Sequence, residues 1–274
     1  MQGASRDALK NALARFEESI GSLPGGAGSG EVSEGLYAVA ALLDREPSLR
    51  RALTDPASSP DARRGLVDAL LGAQLAPLPL SVVRDLVTER WSSAEDLREA
   101  VERLAATAAL NAAEGEGSLD DVEDELFRFA RLLEREPALR AGLTDPGLPD
   151  DRKLALLRDL LGGKARPATL RLVEIAVTRS RGRSLETALD DLVDLAAARR
   201  SRYTAQVRVA RPLEAEQEAR LVASLTRIYG RQVQLQVHVD PEVLGGIEVR
   251  VGDEVIDGTV QRNLSNVRRS LAGQ

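Results

Sequence analysis

The sequence has no cysteine, one histidine, one tryptophan and one methionine, and only 3% of it is aromatic. Without cysteine there is no disulfide framework, no thiolate nucleophile and no sulfur ligand for a metal. With a single histidine, His238, zinc sites of the usual His/Cys kind are excluded as well. His238 alternates with Val237 and Val239, so it belongs to the face opposite an apolar stripe and reads as an exposed strand residue. Lysine is almost absent: of 37 basic residues only Lys10, Lys153 and Lys164 are lysine, a bias of genome composition rather than of function.

Two further absences narrow the class. The net charge of −6 gives no basic stripe of the kind a nucleic-acid binder needs, so no nucleic-acid partner is expected. No run approaches the roughly 18 apolar residues of a membrane span, and Leu75–Val83 is interrupted by Pro77 and Pro79. Met1–Asp7 has neither the basic nor the apolar region of a signal peptide. Any membrane association is therefore expected only through a partner. Motifs for chemistry are missing too. Gly162-Gly163-Lys164 is followed by Ala165, not by the Ser or Thr of a phosphate-binding loop, and there is no Gly-x-Ser-x-Gly elbow. The acidic pairs Asp120-Asp121 and Asp190-Asp191 read as solvated helix faces. Catalytic residues, cofactor and metal are all expected to be none.

What is present is a duplication. Leu42-Leu43-Asp44-Arg45-Glu46-Pro47 returns ninety residues later as Leu132-Leu133-Glu134-Arg135-Glu136-Pro137, and Leu53-Thr54-Asp55-Pro56 returns as Leu143-Thr144-Asp145-Pro146. After Trp91 the offset falls to eighty-eight, pairing Leu97 with Leu185 and Leu104 with Leu192. Two copies make a duplicated domain rather than a solenoid. Leu36, Val39, Ala40 and Leu43, like Leu126, Phe129, Ala130 and Leu133, are spaced to form one apolar stripe on a helix. Pro47 and Pro137 suit first helical turns, and Ser59-Pro60 reads as an N-cap with its N1 proline. Ser92 with Glu95 has capping-box spacing, and Gly72 and Gly162 stand where a helix end wants a left-handed residue. Trp91 reads as packing at a helix end. Each copy thus predicts about five helices.

A helix over about Ser5–Leu23 precedes the first copy, followed by the Gly-rich stretch Pro24–Gly30. Ala113–Ser118 reads either as a linker between the copies or as a helix end with a tight turn. Beyond Ser201 the period changes to two: Tyr203–Val209, Gln232–Val239 and the Ile247, Val249, Val251 run read as strands. Helices are expected at Leu213–Tyr229, stopped by Gly230, and at about Gly258–Leu271. The fold class is mainly α: two tandem helical bundles followed by a small α+β (β-α-β-β-α) module. The expected division is 1–30, N-terminal helix and linker; 31–117, first bundle; 118–201, second bundle; 202–274, C-terminal module.

The segment from Val233 through Val239, Asp240, Val243, Gly245, Gly246, Ile247 and Val249 to Gly252, then Asp253, Asp257, Gly258 and Thr259, closely resembles the signature of the ATP synthase δ (OSCP) subunit family. Ala210–Leu213 and Gly182-Arg183 extend the resemblance, which covers about Asp120–Gly273. The first helix resembles the family's opening helix, and residues 31–111 depart from the pattern as an extra copy. The resemblance implies a non-catalytic peripheral-stalk (stator) subunit of an F-type ATP synthase, resisting rotor torque during proton-driven ATP synthesis. It implies that N-terminal segments of α subunits and b-type stalk subunits are its partners. It also implies a peripheral place on the cytoplasmic face of the bacterial plasma membrane. Val239, Asp240, Gly245, Gly246, Gly252, Asp253, Asp257 and Gly258 are then structural or partner-binding, with the two central glycines permitting a bend between strands. The competing readings are an unrelated cytoplasmic helical adaptor and an enzyme built on the α+β module. The signature weighs against both.

Overall fold

The computed structural model describes residues 3–21, 28–179, 184–201, 204–229, 233–240, 243, 245–251 and 254–258. They fall into two compact units, 1–195 and 196–274. Among the described residues of the first unit, every regular element is a helix. Helix α1 (Ala4–Gly21) is followed by α2 (Ser29–Arg45), α3 (Pro47–Thr54), α4 (Pro60–Leu71), α5 (Pro77–Leu86) and α6 (Ala94–Gly115). The second copy gives α7 (Leu119–Arg135), α8 (Pro137–Thr144), α9 (Asp150–Leu161), α10 (Pro167–Arg179) and α11 (Leu185–Ser201), which runs on into the second unit.

Proline fixes where many of these helices begin. Helices α3, α4, α5, α8 and α10 all start on one, where the missing N–H costs no hydrogen bond. Ser59 caps α4, its hydroxyl accepting from the Ala62 amide at 3.1 Å. The repeated Leu-Thr-Asp-Pro segments fold alike. Asp55 and Asp145 each accept from the backbone two residues on, at 2.9 Å from Ala57 and 2.8 Å from Gly147. Two local expectations shift. Ser93, not Ser92, caps α6, accepting from Asp96 at 3.2 Å, while the Ser92 amide donates to Ser5 Oγ. Gly72 and Gly162 are not left-handed, with φ of −59° and −58°. What excludes a side chain there is the tight last turn, which would put a Cβ 2.5 Å from the Asp68 carbonyl and 2.3 Å from that of Arg158. Between the copies there is no open linker. Helix α6 ends in a tight turn at Gly115–Ser118 and the chain enters α7 directly.

The centre of the helical unit is α6. It packs on α1, α2, α3 and α5 of the first copy and on α7 and α10 of the second. Its run of Leu97, Ala100, Val101, Leu104, Ala105, Ala106, Ala108, Ala109, Leu110 and Ala113 is buried. Trp91, just before it, is buried and donates its indole N–H to the Leu86 carbonyl at 2.8 Å.

Among its described residues the second unit holds a four-stranded sheet in the order β2-β1-β3-β4 and one helix that lies wholly within it. Strand β1 (Thr204–Val209) lies parallel to β2 (Gln234–Val239) and antiparallel to β3 (Ile247–Val251), and α12 (Ala215–Tyr229) connects β1 to β2. Ala205, Val207, Val209, Val249 and Val251 line one face with Leu225 of α12. His238 is exposed, as its place in the alternation requires. The structure adds a strand to the three legible in the sequence, β4 (Glu254–Asp257), antiparallel to β3. Four residues with Val255 and Ile256 adjacent give no alternation to read. Gly230, the stop expected for α12, and nearly all of the expected last helix lie outside the described residues.

Leu104 is fully buried where α6 meets its neighbours. Leu104→Ala is expected to destabilise the helical unit by about 2–5 kcal/mol, the cost of a core cavity. Urea unfolding followed by Trp91 fluorescence measures it.

Candidate functional site

The signature residues all belong to the route from β2 through β3 to β4. Val239 ends β2 on an edge of the sheet and is exposed. The Asp240 amide donates to the Val209 carbonyl at 2.8 Å, extending the β1–β2 pairing by one step. The Asp240 carboxylate accepts from Arg208 at 2.6 Å, and the same guanidinium reaches Glu248 at 3.0 Å. One side chain on the central strand thus clasps the end of β2 to the start of β3. Arg208 was not singled out from the sequence. Only the register, which sets it beside His238 on one side and Glu248 on the other, identifies it.

After Asp240 the chain turns, with the Val243 amide donating to the Asp240 carbonyl at 3.1 Å and the Val243 side chain buried. Gly245 and Gly246 then take φ values of +138° and +85°, a conformation that side chains resist. They stand immediately before β3, and these angles set how the chain enters the strand. Asp257 stands opposite Glu248 at the end of β4, and the Gly258 amide donates to the Ile247 carbonyl at 2.9 Å, closing the hairpin. Gly252 and Asp253 lie outside the described residues.

A second constellation lies inside the helical unit, where the two copies meet. Arg98 of α6 is only 4% exposed in its side chain. It faces Asp44 of α2 at 3.5 Å and Glu102 at 2.5 Å, and it pairs with Glu95. From the second copy, Arg179 of α10 donates to the Tyr37 carbonyl at 2.9 Å, and Arg171 bonds Glu34 at 2.6 Å. Burial works to lower the Arg98 pKa, but Glu102, Glu95 and Asp44 outweigh it and hold it above the ordinary value. Burial pushes Glu102 up; Arg98 pulls it back and Asp44 adds to the rise. Burial lowers Arg179 and raises the Tyr37 hydroxyl. Beside these charges a cavity of about 250 Å³ opens between Leu9, Ala106, Leu172, Ile175, Leu192 and Leu195.

In the signature loop the Asp240 carboxylate is bonded to Arg208, and at the joint Asp44 and Glu102 neutralise the buried Arg98. Both arrangements tie neighbouring elements together through charge-assisted hydrogen bonds. Among the described residues no group of three or more His, Cys, Asp or Glu could hold a metal ion, and no helix is long and apolar enough to cross a membrane. Lys164 is exposed and donates to the Leu160 carbonyl at the end of α9.

Two outcomes follow. Gly246→Ala is expected to strain the β2–β3 turn by about 1–2 kcal/mol, the penalty of a left-handed non-glycine residue. That corresponds to roughly tenfold faster hydrogen exchange of the β3 and β4 amides. Arg98→Met strands Asp44 and Glu102 without their cation and is expected to cost about 3–5 kcal/mol. The folded-state pKa of Glu102 then rises further above its unfolded value. The loss therefore deepens as pH rises through the folded-state pKa of Glu102 and is least where Glu102 is still protonated. Urea midpoints at several pH values, read from Trp91, check both the size and the slope.

The comparisons with known proteins bear on the whole chain. The profile of the family described as "ATP synthase delta (OSCP) subunit" matches residues 101–271, from within α6 through the second copy and the C-terminal unit. "ATP synthase subunit delta" of Parafrankia sp. is 48% identical over 99% of both chains. The proteins of that name from Thermobifida fusca and Streptomyces griseus are 46% and 49% identical over 100% of both chains. The relatives therefore share the full length, first copy included. The chain belongs to the ATP synthase delta (OSCP) subunit family.

Proposed function

We propose that this protein is the non-catalytic peripheral-stalk subunit of an F-type ATP synthase, linking the catalytic head to the b-type stalk subunits. The observation that carries this is the family match over residues 101–271 together with full-length identity to three proteins named ATP synthase subunit delta. The task is mechanical. A turning rotor drags the head with it, and a stator that yields turns the rotor's work into idle rotation of the head. Stiffness and tight binding at both ends are what the chain has to supply.

In this reading the chain divides at 1–30, 31–117, 118–201 and 202–274. The second bundle holds N-terminal helical segments of α subunits, since it alone adjoins the signature unit in the family match. Helix-in-groove binding suits a bundle. The C-terminal unit holds the b-type subunits. Exposed Val239, Val255 and Ile256 on its sheet and Ile228 on α12 offer apolar contact for that purpose. The first bundle is a brace. The sharing of α6 and the buried ion pairs at the joint support that role, because neither copy can pivot without uncovering both. Gly245 and Gly246 serve the shape of the stalk-binding unit rather than touch a ligand. Binding the head and the stalk at once raises the effective concentration of each end for its partner. The chain reaches the cytoplasmic face of the plasma membrane only through the complex.

Co-purification tests this directly. An affinity-tagged chain expressed in its own cells is expected to bring down α, β and b-type subunits from detergent-solubilised membranes. Removal of 202–274 is expected to lose the b-type subunits while keeping the head. A full-length chain that recovers none of them overturns the reading.

A further inference from the structure

The joint between the copies shows what the outer face of a second helix is built to receive. On α2, Tyr37 is only 2% exposed, and two arginines of α10 reach it. The Arg171 guanidinium sits over the Tyr37 ring at 5.9 Å and bonds Glu34. Arg179, eight residues on, donates to the Tyr37 carbonyl and lies in the field of Asp44 and Glu102. Leu172 and Ile175 lie between the two arginines in sequence and line the cavity beside Tyr37 and Arg179. The receiving face is therefore one aromatic ring among three acids, and the helix it receives is aliphatic between two cations.

The second copy repeats the receiving face. Ninety residues on, Glu34, Tyr37 and Asp44 become Asp124, Phe127 and Glu134 on α7, and Glu102 becomes Asp190 on α11 at the offset of eighty-eight. All four positions keep their chemistry. There is no third copy to cover them, and Phe127 is 46% exposed. We propose that this face of α7 is a docking surface for a partner's amphipathic helix that carries two arginines or lysines eight residues apart around an aliphatic pair, the chemistry of α10. A second copy of this chain does not fit, because its own α10 is already seated in its joint. The inference rests on the duplication alone and is independent of the stator reading.

Two differences between the copies fit an interface that opens. Where α2 has Ala38 and Ala41, α7 has Arg128 and Arg131. Arg128 pairs with Asp124 at 2.7 Å, and Arg131 pairs with Glu134 at 2.7 Å while lying over the Phe127 ring at 5.2 Å. These arginines occupy the acids and the ring as Arg171 and Arg179 do in the joint. Both pairs are more than half exposed, and exposed ion pairs hold weakly. An incoming helix displaces them by offering the same charge together with apolar cover for Phe127.

The test uses the full chain and a fluorescent peptide of residues 167–179, held helical by a lactam bridge outside the contact face. Helices this short are otherwise marginal in water. The peptide does not compete with the chain's own α10, whose tethering gives it an effective concentration of the order of millimolar. Saturable anisotropy changes are expected with the wild-type chain, weakened at least about tenfold by Phe127→Glu and by Asp124→Lys. Reversal of both peptide arginines (R171E and R179E) is expected to abolish binding. Unchanged circular dichroism of the variants shows that they fold. No binding to the wild-type chain overturns the proposal, and so does binding indifferent to Phe127→Glu. Binding that appears only after Arg128→Ala with Arg131→Ala also overturns it, because the arginines then seal the face instead of holding it ready.

Discussion

Everything in the helical unit depends on α6 being buried on both sides. A surface helix needs one apolar stripe, whereas α6 is buried on every side from Leu104 to Asn111, which is the pattern of a helix enclosed by others. Alanines at 100, 105, 106, 108, 109 and 113 let neighbouring helices approach its axis, and Leu97, Val101, Leu104 and Leu110 fill the gaps between them. Its ends are pinned as well. The Asn111 amide donates to Ser29 Oγ at 2.6 Å in a buried contact, and Ser5 Oγ donates to Asp96 at 2.7 Å. Separating the copies would expose a face of α6 whichever way it went, so the two are not beads on a string.

The buried charges at the joint push in the same direction at a cost. Arg98, Asp44 and Glu102 contribute little net stability over an apolar packing, since their desolvation offsets much of their attraction. What they add is geometry. A misplaced α10 leaves Arg179 without its acids, and a rotated α2 leaves Arg98 without Asp44. Apolar surfaces slide past one another at low cost, whereas paired buried ions do not. For a protein that must transmit torque, resistance to sliding counts for more than raw stability.

Much of this was legible in the sequence, because it depends on local chemistry. Prolines marked helix starts, the Leu-Thr-Asp-Pro repeats marked identical turns, and the alternation of the small and branched residues Ala205, Val207 and Val209 marked β1. The cap of α6 falls on Ser93, one residue after the Ser92 that capping-box spacing picks out, because Ser5 claims the Ser92 amide in three dimensions. Strand β4 was too short for a period to show. The joint was illegible for a different reason. Arg98, Arg179 and Tyr37 look like ordinary polar positions on their own helices, and only the reach of the α10 arginines to α2 turns them into one network. Arg208 likewise acquires its partners from strand register, which no single strand encodes.

The duplication itself is less simple than an inserted domain. The offset of ninety carries α1 onto the first eighteen residues of α6, and α6 meets α10 as α1 meets α5. The family match also begins within α6, at residue 101. Helix α6 therefore closes the first copy and opens the second. An extra copy that brought its own first and last helices would have left two independent bundles and a hinge between them. Sharing one helix removes the hinge, and force applied at either bundle passes through a continuous rod of backbone hydrogen bonds.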